Sequence, residues 1–211
     1  MLVRSVNISP PRSVPYRGKS IRTGIFKQPV AGPVLIRRMG VEGDVQVDRR
    51  YHGGTNKAVY SYAADHNGHW QAELGREIEP GAFGENLTTE GLIEDRICIG
   101  DQFRFGSAVL EAVQPRQPCF KLGLRVGSAR FVSRFREEGK PGIYWKVIEE
   151  GMVAPGDAVE LVSVSKLPIT IHDLWRMVTR NQPDAGIASL LLSHASLDAE
   201  WREPLEAMVV E

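Results

Sequence analysis

The chain has 211 residues, 42% of them hydrophobic and 25% charged, the composition of a globular protein with a sizeable core. Its 26 Lys and Arg balance its 26 Asp and Glu, which excludes a general nucleic-acid or membrane-surface binder but not a local basic pocket for a small anion. With only two cysteines, Cys98 and Cys119, a disulfide scaffold is ruled out, as is a four-cysteine iron–sulfur cluster held by this chain alone.

No apolar run approaches the ~18 residues that a bilayer-spanning helix needs. Residues 1–19 carry Pro10, Pro11 and Pro15 without a continuous apolar stretch. A secretory leader is therefore not expected, and the expected compartment is the reducing cytoplasm. Short apolar runs at 21–26, 34–38 and 58–62 read as strands. Residues 63–79 form a helical stretch that stops at Pro80 and is weakened by Gly68. Residues 97–113 read as a β-meander: Ile97 and Ile99, then Phe103 and Phe105, then 109–113, with turns at Gly100-Asp101 and Gly106-Ser107. Ser128 can cap a helix that carries Phe131, Val132 and Phe135 on one face and ends before Gly139. Within 143–164, Ile143, Trp145 and Val147 alternate with Tyr144, Lys146 and Ile148, and Val159 and Leu161 repeat the period of two.

The character changes near Lys166-Leu167-Pro168. Thr170 with Asp173 makes an N-cap pair, and Ile171, Leu174, Trp175 and Val178 fall on one stripe that Asn181 and Pro183 terminate. Asp184 can cap a second helix through 190–192, and Ser196 a third that carries Trp201, Leu205 and Met208. Many short strands without strand–helix alternation predict a mostly β, barrel-like domain over 1–165, followed by a small three-helix unit over 166–211. That unit is too small to be secure alone and must pack on the barrel or on a partner subunit, so a homodimer is compatible with the sequence.

Three segments can carry chemistry. Arg49-Arg50-Tyr51-His52-Gly53-Gly54-Thr55-Asn56-Lys57 contains paired glycines whose N–H groups can converge on an anion, with Arg49, His52 and Lys57 adding charge; the same letters also spell an ordinary turn. Gly81-Ala82-Phe83-Gly84-Glu85-Asn86 puts an amide where backbone can approach a ligand, or makes an Asn/Gly turn. Gln114-Pro115-Arg116-Gln117-Pro118-Cys119-Phe120-Lys121 places a thiol in a loop stiffened by two prolines, between two cations that favour thiolate. Cys119 reads equally as a small core hydrophobe and as a nucleophile or soft metal ligand. Cys98, in an apolar alternation, reads as structural. His66 and His69 have a metal-ligand spacing, but no Glu lies between them in the metalloprotease pattern, and a packing role suits them better. A hydrolase pairing Cys119 with His52 lacks an orienting third member.

Taken in order, these features resemble the MOSC domain family, the module related to the C-terminal part of molybdenum cofactor sulfurases, and within it the YiiM-like subgroup. The resemblance rests on Thr23-Gly24-Ile25-Phe26-Lys27, Gly43-Asp44 with Gln46, His52-Gly53-Gly54 with Lys57-Ala58 and Tyr60, His66 and Trp70. It continues through Gly84-Glu85-Asn86-Leu87, Ile99-Gly100-Asp101, and Gln114-Pro115-Arg116 with Pro118-Cys119-Lys121-Leu122. Thr55-Asn56 departs from the Pro-Asp type of pair common after the double glycine.

The resemblance implies a β-barrel fold, binding of the molybdenum cofactor (molybdopterin), and Cys119 as the molybdenum ligand. Arg49, His52, Gly53, Gly54, Lys57, Asn86, Arg116 and Lys121 would then hold the pterin and its phosphate, and His52 would supply a proton. The implied activity is reduction of N-hydroxylated compounds such as hydroxylaminopurines, with electrons from a separate flavoprotein or ferredoxin-type donor. The alternatives are a cofactor or sulfur carrier without turnover, and a metal-free or zinc hydrolase.

Overall fold

The computed structural model describes residues 1–47, 53–180, 182–193 and 196–210. Thirteen strands and six helices are found among them. The strands are β1 (Leu2–Ile8), β2 (Arg12–Tyr16), β3 (Lys19–Thr23), β4 (Gln28–Pro29), β5 (Val34–Arg37), β6 (Gly40–Val41) and β7 (Val59–Ala63). They continue with β8 (Leu87–Glu90), β9 (Gln102–Phe105), β10 (Ala108–Pro115), β11 (Ile143–Glu149), β12 (Gly151–Val153) and β13 (Val159–Ser163). The helices are α1 (Asn67–Leu74), α2 (Phe120–Val126), α3 (Phe131–Glu138), α4 (Ile171–Thr179), α5 (Ala185–Leu192) and α6 (Ala199–Val210).

Eight strands form one sheet in the order β13-β9-β10-β11-β7-β8-β1-β4; only β7 and β8 pair in parallel. The expected closed barrel is not found. The sheet curls until Leu2 bridges Ala158, with Val3 N–H on Asp157 O at 2.9 Å and Gly156 N–H on Val3 O at 2.8 Å. Beyond that point β1 passes a register shift between Val3 and Ser5, and its free edge is taken by β4, so no ladder closes. A three-stranded sheet (β12-β5-β6) and the β2–β3 ribbon complete the strands.

The alternation read in the sequence sorts two cores. On β11, Ile143, Trp145 and Val147 face the large apolar cluster, while Tyr144 faces a second, aromatic one. On β7, Val59 faces the first and Tyr60 and Tyr62 face the second. This is the period-two rule for a strand covered on both sides. The aromatic cluster gathers Trp70, Phe83, Phe131 and Phe135 from α1, α3 and the loop between, with Trp70 and Phe135 stacked at 5.4 Å. The large cluster runs on without a break into Trp175, Leu191, Trp201 and Leu205 of α4–α6, so these helices pack on the sheet itself.

Several sequence readings shift at their ends. The first arm of the meander is a single bridge, Cys98 to Thr170, because Asp101 Oδ2 takes the Cys98 N–H at 2.8 Å and turns the chain. The helix expected over 63–79 begins as a 3-10 turn and ends at Leu74, where Gly75 takes a left-handed cap (φ 63°). Ser128 does not cap α3, whose N-cap is Arg130; Gly139 does close it at φ 68°. Thr170 and Asp173 form the expected capping box, and the Asp184 side chain accepts from Ile187 N–H. Ser196 does not cap α6, which starts at Ala199; the carbonyl of Asp198 accepts the Trp201 and Arg202 N–H groups instead. Asn181 lies outside the described residues, and α4 has already ended at Thr179. No helix among the described residues is long and apolar enough to cross a membrane.

Candidate functional site

Strand β10 delivers its chain into Pro115, and the next four residues leave the sheet before α2 begins. Pro115 and Pro118 hold this link extended, and Cys119 follows in extended conformation (φ −120°, ψ 172°) as the N-cap residue of α2. The helix is held close by Gly123: a Cβ there would lie 2.9 Å from Ser128 O and 3.2 Å from the Ala129 Cα. Cys119 is thereby fixed, half-buried, in the wall of a cleft that opens to solvent. The cleft is lined from several elements: 23–27 after β3, Asp44 and Gln46 before the double glycine, Lys57 and Tyr60, Asn86, Arg116, and Tyr144. Lys121, the second residue of α2, also lines it.

Charge on this wall is fixed by burial. Arg116 is buried; its guanidinium donates to Phe83 O and lies 4.6 Å over the Tyr60 ring. Burial alone would lower its pKa, but Tyr60, Tyr144 and Cys119 around it outweigh that, so it stays charged. No carboxylate pairs with it among the described residues. Tyr60 and Tyr144 are cross-strand partners with ring centroids 5.3 Å apart. Burial pushes both phenols above the ordinary tyrosine range, despite the opposing pull of Arg116, so both remain protonated near neutral pH. The Tyr60 hydroxyl donates to Pro141 O at 2.8 Å.

A buried ion pair underlies the opposite wall. Lys27 Nζ donates to both oxygens of Asp44, at 2.6 and 2.5 Å, with side-chain exposures of 8% and 5%. Burial lowers the Lys27 pKa, partly offset by Asp44. The Asp44 carboxylate also accepts from Ser9 N–H at 2.9 Å and from Asn86 Nδ2 at 3.0 Å.

The expected ligands fall into distinct groups. Cys119, Arg116 and Lys121 share the cleft as expected. Asn86 lines it too, but its amide is engaged by the fold: Oδ1 accepts from Tyr60 N–H, and Nδ2 donates to Asp44 and Asn7 O. Its role in the structure is to tie β7, β1 and Asp44 together. Lys57 reaches the cleft with only 6% of its side chain exposed, and Nζ is held by Glu200 at 2.5 Å and Asp198 at 3.1 Å. Burial works against its charge, and Glu200 and Asp198 reverse the balance, raising its pKa. Asp198 also receives Asn56 Nδ2 and Gln114 Nε2, so the start of α6 stitches the double-glycine turn to the end of β10. Gly54 opens the 3-10 turn Thr55–Lys57 at φ 99° and borders a neighbouring depression with Arg37, Met39 and Gly40; Gly53 precedes it and is not among the cleft-lining residues. Arg49 and His52 lie outside the described residues.

Cys98 stands apart from the cleft, and its thiol pKa is raised from 9.0 by burial first and by Asp101 and Asp173 second. Negative neighbours disfavour the thiolate, so the sign is upward. Alkylation of Cys98 by iodoacetamide in a Cys119→Ser protein should therefore gain rate with a midpoint above pH 9.0, read by mass spectrometry; a midpoint below that value would refute the burial argument. His66 is a packed residue: Nε2 lies 2.7 Å from Glu94, whose other oxygen accepts Gly142 N–H at 2.7 Å. His69 is separate, 3.2 Å from Glu138 and 3.6 Å from Glu73. Those three could surround a cation, but Arg134 already binds both carboxylates at 2.7–3.2 Å.

Sequence reasoning assigned no site role to Lys27, Asp44, Gln46, Tyr60 or Tyr144. Four of these were quoted only for the family likeness, and Tyr144 only for its alternation. The signal that could have found them is a charged or phenolic residue inside an apolar stretch, whose burial demands a partner.

The donor set fits a soft metal carried on an anionic organic group. Cys119 offers sulfur, and Arg116 and Lys121 offer positive charge in the wall of the same cleft. The MOSC domain family model matches residues 48–160 of the chain. YflK, an uncharacterized protein of Bacillus subtilis, is 40% identical over 200 residues, which are 95% of this chain and 90% of that protein. A reductase of Gibberella moniliformis is 38% identical over 149 residues, 69% of this chain but only 26% of the fungal protein. The crystal structure of YiiM from Geobacillus stearothermophilus superposes with a TM-score of 0.82 at 31% identity, covering 99% of this chain and 98% of that one.

Proposed function

Because the chain belongs to the MOSC domain family and is YiiM-like within it, we propose that it binds the molybdenum cofactor in the Cys119 cleft and reduces N-hydroxylated compounds such as hydroxylaminopurines. The observation that carries this reading is a single thiol presented by a rigid link into a cleft with a buried, permanently charged guanidinium beside it. When bound, the cofactor supplies the redox chemistry of the net reaction R–NH–OH + 2 e⁻ + 2 H⁺ → R–NH₂ + H₂O.

The chain's own residues do the rest. Cys119 offers Sγ as the protein's ligand to molybdenum, and Arg116 and Lys121 line the same cleft. The same two cations suit the pterin phosphate. Lys57 is a weaker candidate, because Glu200 and Asp198 already balance its charge. Tyr144 is protonated, buried and cleft-facing. It is positioned to donate to the substrate oxygen as the N–O bond breaks, a role that the sequence assigned to His52. The Lys27–Asp44 pair and Asn86 hold the wall on which the substrate would rest.

The test is reduction of 6-N-hydroxylaminopurine by protein purified from a cofactor-producing host, with molybdenum and pterin content measured on the same sample. Turnover that scales with molybdenum supports the reading. Full occupancy with no turnover would favour a cofactor carrier, and absence of molybdenum would point to a hydrolase.

A further inference from the structure

The balanced total charge conceals a strong segregation. Residues 1–41 contain eight Arg and Lys and no Asp or Glu, and residues 112–136 contain six and none. The fold pairs part of each stretch with carboxylates, Arg4 with Glu90, Lys27 with Asp44, Arg37 with Glu42 and Arg134 with Glu73 and Glu138, and brings the β2–β3 ribbon and α2 together beside the cleft. The β2–β3 ribbon pairs Arg12 with Thr23 and Tyr16 with Lys19, so it runs outward from a cleft-lining residue to its tip. At the tip, Tyr16 stacks on Phe120 at 4.7 Å, and Phe120 is the residue after Cys119. At the base, Arg12 lies 3.4 Å over the Phe26 ring, and Arg125 of α2 approaches the same ring at 5.8 Å. The Arg125 pKa is lowered, by burial first, with Arg76 and Arg12 contributing through repulsion. Arg12, Arg17, Lys19 and Arg22 are exposed, and none forms a salt bridge among the described residues. Phe120 is 41% exposed in the midst of them.

A face of one sign around an aromatic pair, next to the proposed metal ligand, suits a large anion. We propose that the β2–β3 ribbon and the start of α2 form the docking surface for an acidic electron-transfer protein, which delivers two electrons per substrate in single steps while the two protons come from solvent. This rests on the reductase reading above. Two cysteines cannot hold a four-cysteine iron–sulfur cluster, so the electrons must reach the Cys119 cleft from a redox group outside these 211 residues. Complementary charge between redox partners mainly raises the association rate, and more so at low salt.

The experiment uses the cofactor-loaded full chain, the double variant Lys19→Glu/Arg22→Glu, and the neutral variant Lys19→Gln/Arg22→Gln. Neither position lines the cleft. The probe is a flavodoxin, an acidic FMN protein. Its binding is measured in the oxidised form, without turnover, at low and at physiological ionic strength. Charge reversal should weaken binding and lower kcat/KM for reduced flavodoxin by roughly 10–100-fold at low salt, flatten the salt dependence, and leave the rate with photoreduced riboflavin unchanged. The neutral variant should fall between. Equal flavodoxin binding and kcat/KM in all three proteins would overturn the docking surface. Binding that follows the charge with no reduction by any donor would keep the surface and overturn the reductase reading. Tighter, charge-dependent binding of a single-stranded oligonucleotide at the same salt would reassign the face to nucleic acid and overturn the proposal.

Discussion

Replacing Cys119 by serine should leave a folded protein that does not take up molybdenum. The side chain is half-buried at a cleft wall and its backbone is set by Pro118 and the start of α2, so the exchange should cost about 1 kcal/mol or less in urea unfolding. Molybdenum prefers soft sulfur to a serine hydroxyl, which is not ionised near neutral pH. Loss of an outer partner of a metal ligand already costs about 10–100-fold in affinity or activity, so loss of the ligand should exceed the upper end of that range. The measurements are molybdenum per protein by elemental analysis and turnover with hydroxylaminopurine, beside Cys98→Ser as the control. The control should keep both, because Cys98 sits outside the cleft. A serine variant that retains metal and rate would remove Cys119 from the site.

Asp44→Ala should be the most damaging single change to the fold of the cleft. It strands the buried Lys27 ammonium, deprives Ser9 N–H of its acceptor and leaves Asn86 Nδ2 with only the longer bond to Asn7 O. Breaking one side of a buried ion pair costs about 3–5 kcal/mol, which would appear as a lower urea midpoint. Lys27→Met/Asp44→Leu should recover part of this loss, since it removes both charges, although Ser9 N–H stays without the Asp44 acceptor. The pH dependence has a definite sign. Burial already lowers the Lys27 pKa in the native protein, and removing Asp44 removes the main influence that raises it. The stranded ammonium can then shed its proton more readily in the folded state than in the unfolded one. The stability deficit of Asp44→Ala should therefore shrink as pH rises from neutral toward the ordinary lysine value of 10.5. A deficit that grows over that range would show that Lys27 is not the group being stranded.

Legibility followed locality. The alternation at 143–149 was plain because successive side chains of β11 enter two different buried clusters. The Thr170–Asp173 box was plain because its hydrogen bonds span three residues. β1 escaped notice where its register shift breaks the period of two, and β2 because Pro15 argues against a strand, a penalty that a two-stranded ribbon escapes. α2 was hidden by Pro118 and Gly123, the features that place it: one stiffens its entry and the other lets it lie against Ser128.

By itself the sequence determined the strand-rich character, the caps of α4 and α5, the family likeness, and the choice of Cys119 over Cys98, since each depends on residues adjacent in the chain or on an ordered set of short motifs. Only the tertiary structure decided that the sheet stays open, that Lys57 is claimed by Glu200 and Asp198, and that Lys27 and Asp44 form a buried pair under Asn86. These outcomes depend on groups 17 to 143 residues apart meeting where water is excluded. There the cost of an unpaired charge, rather than any local preference, chooses the partner.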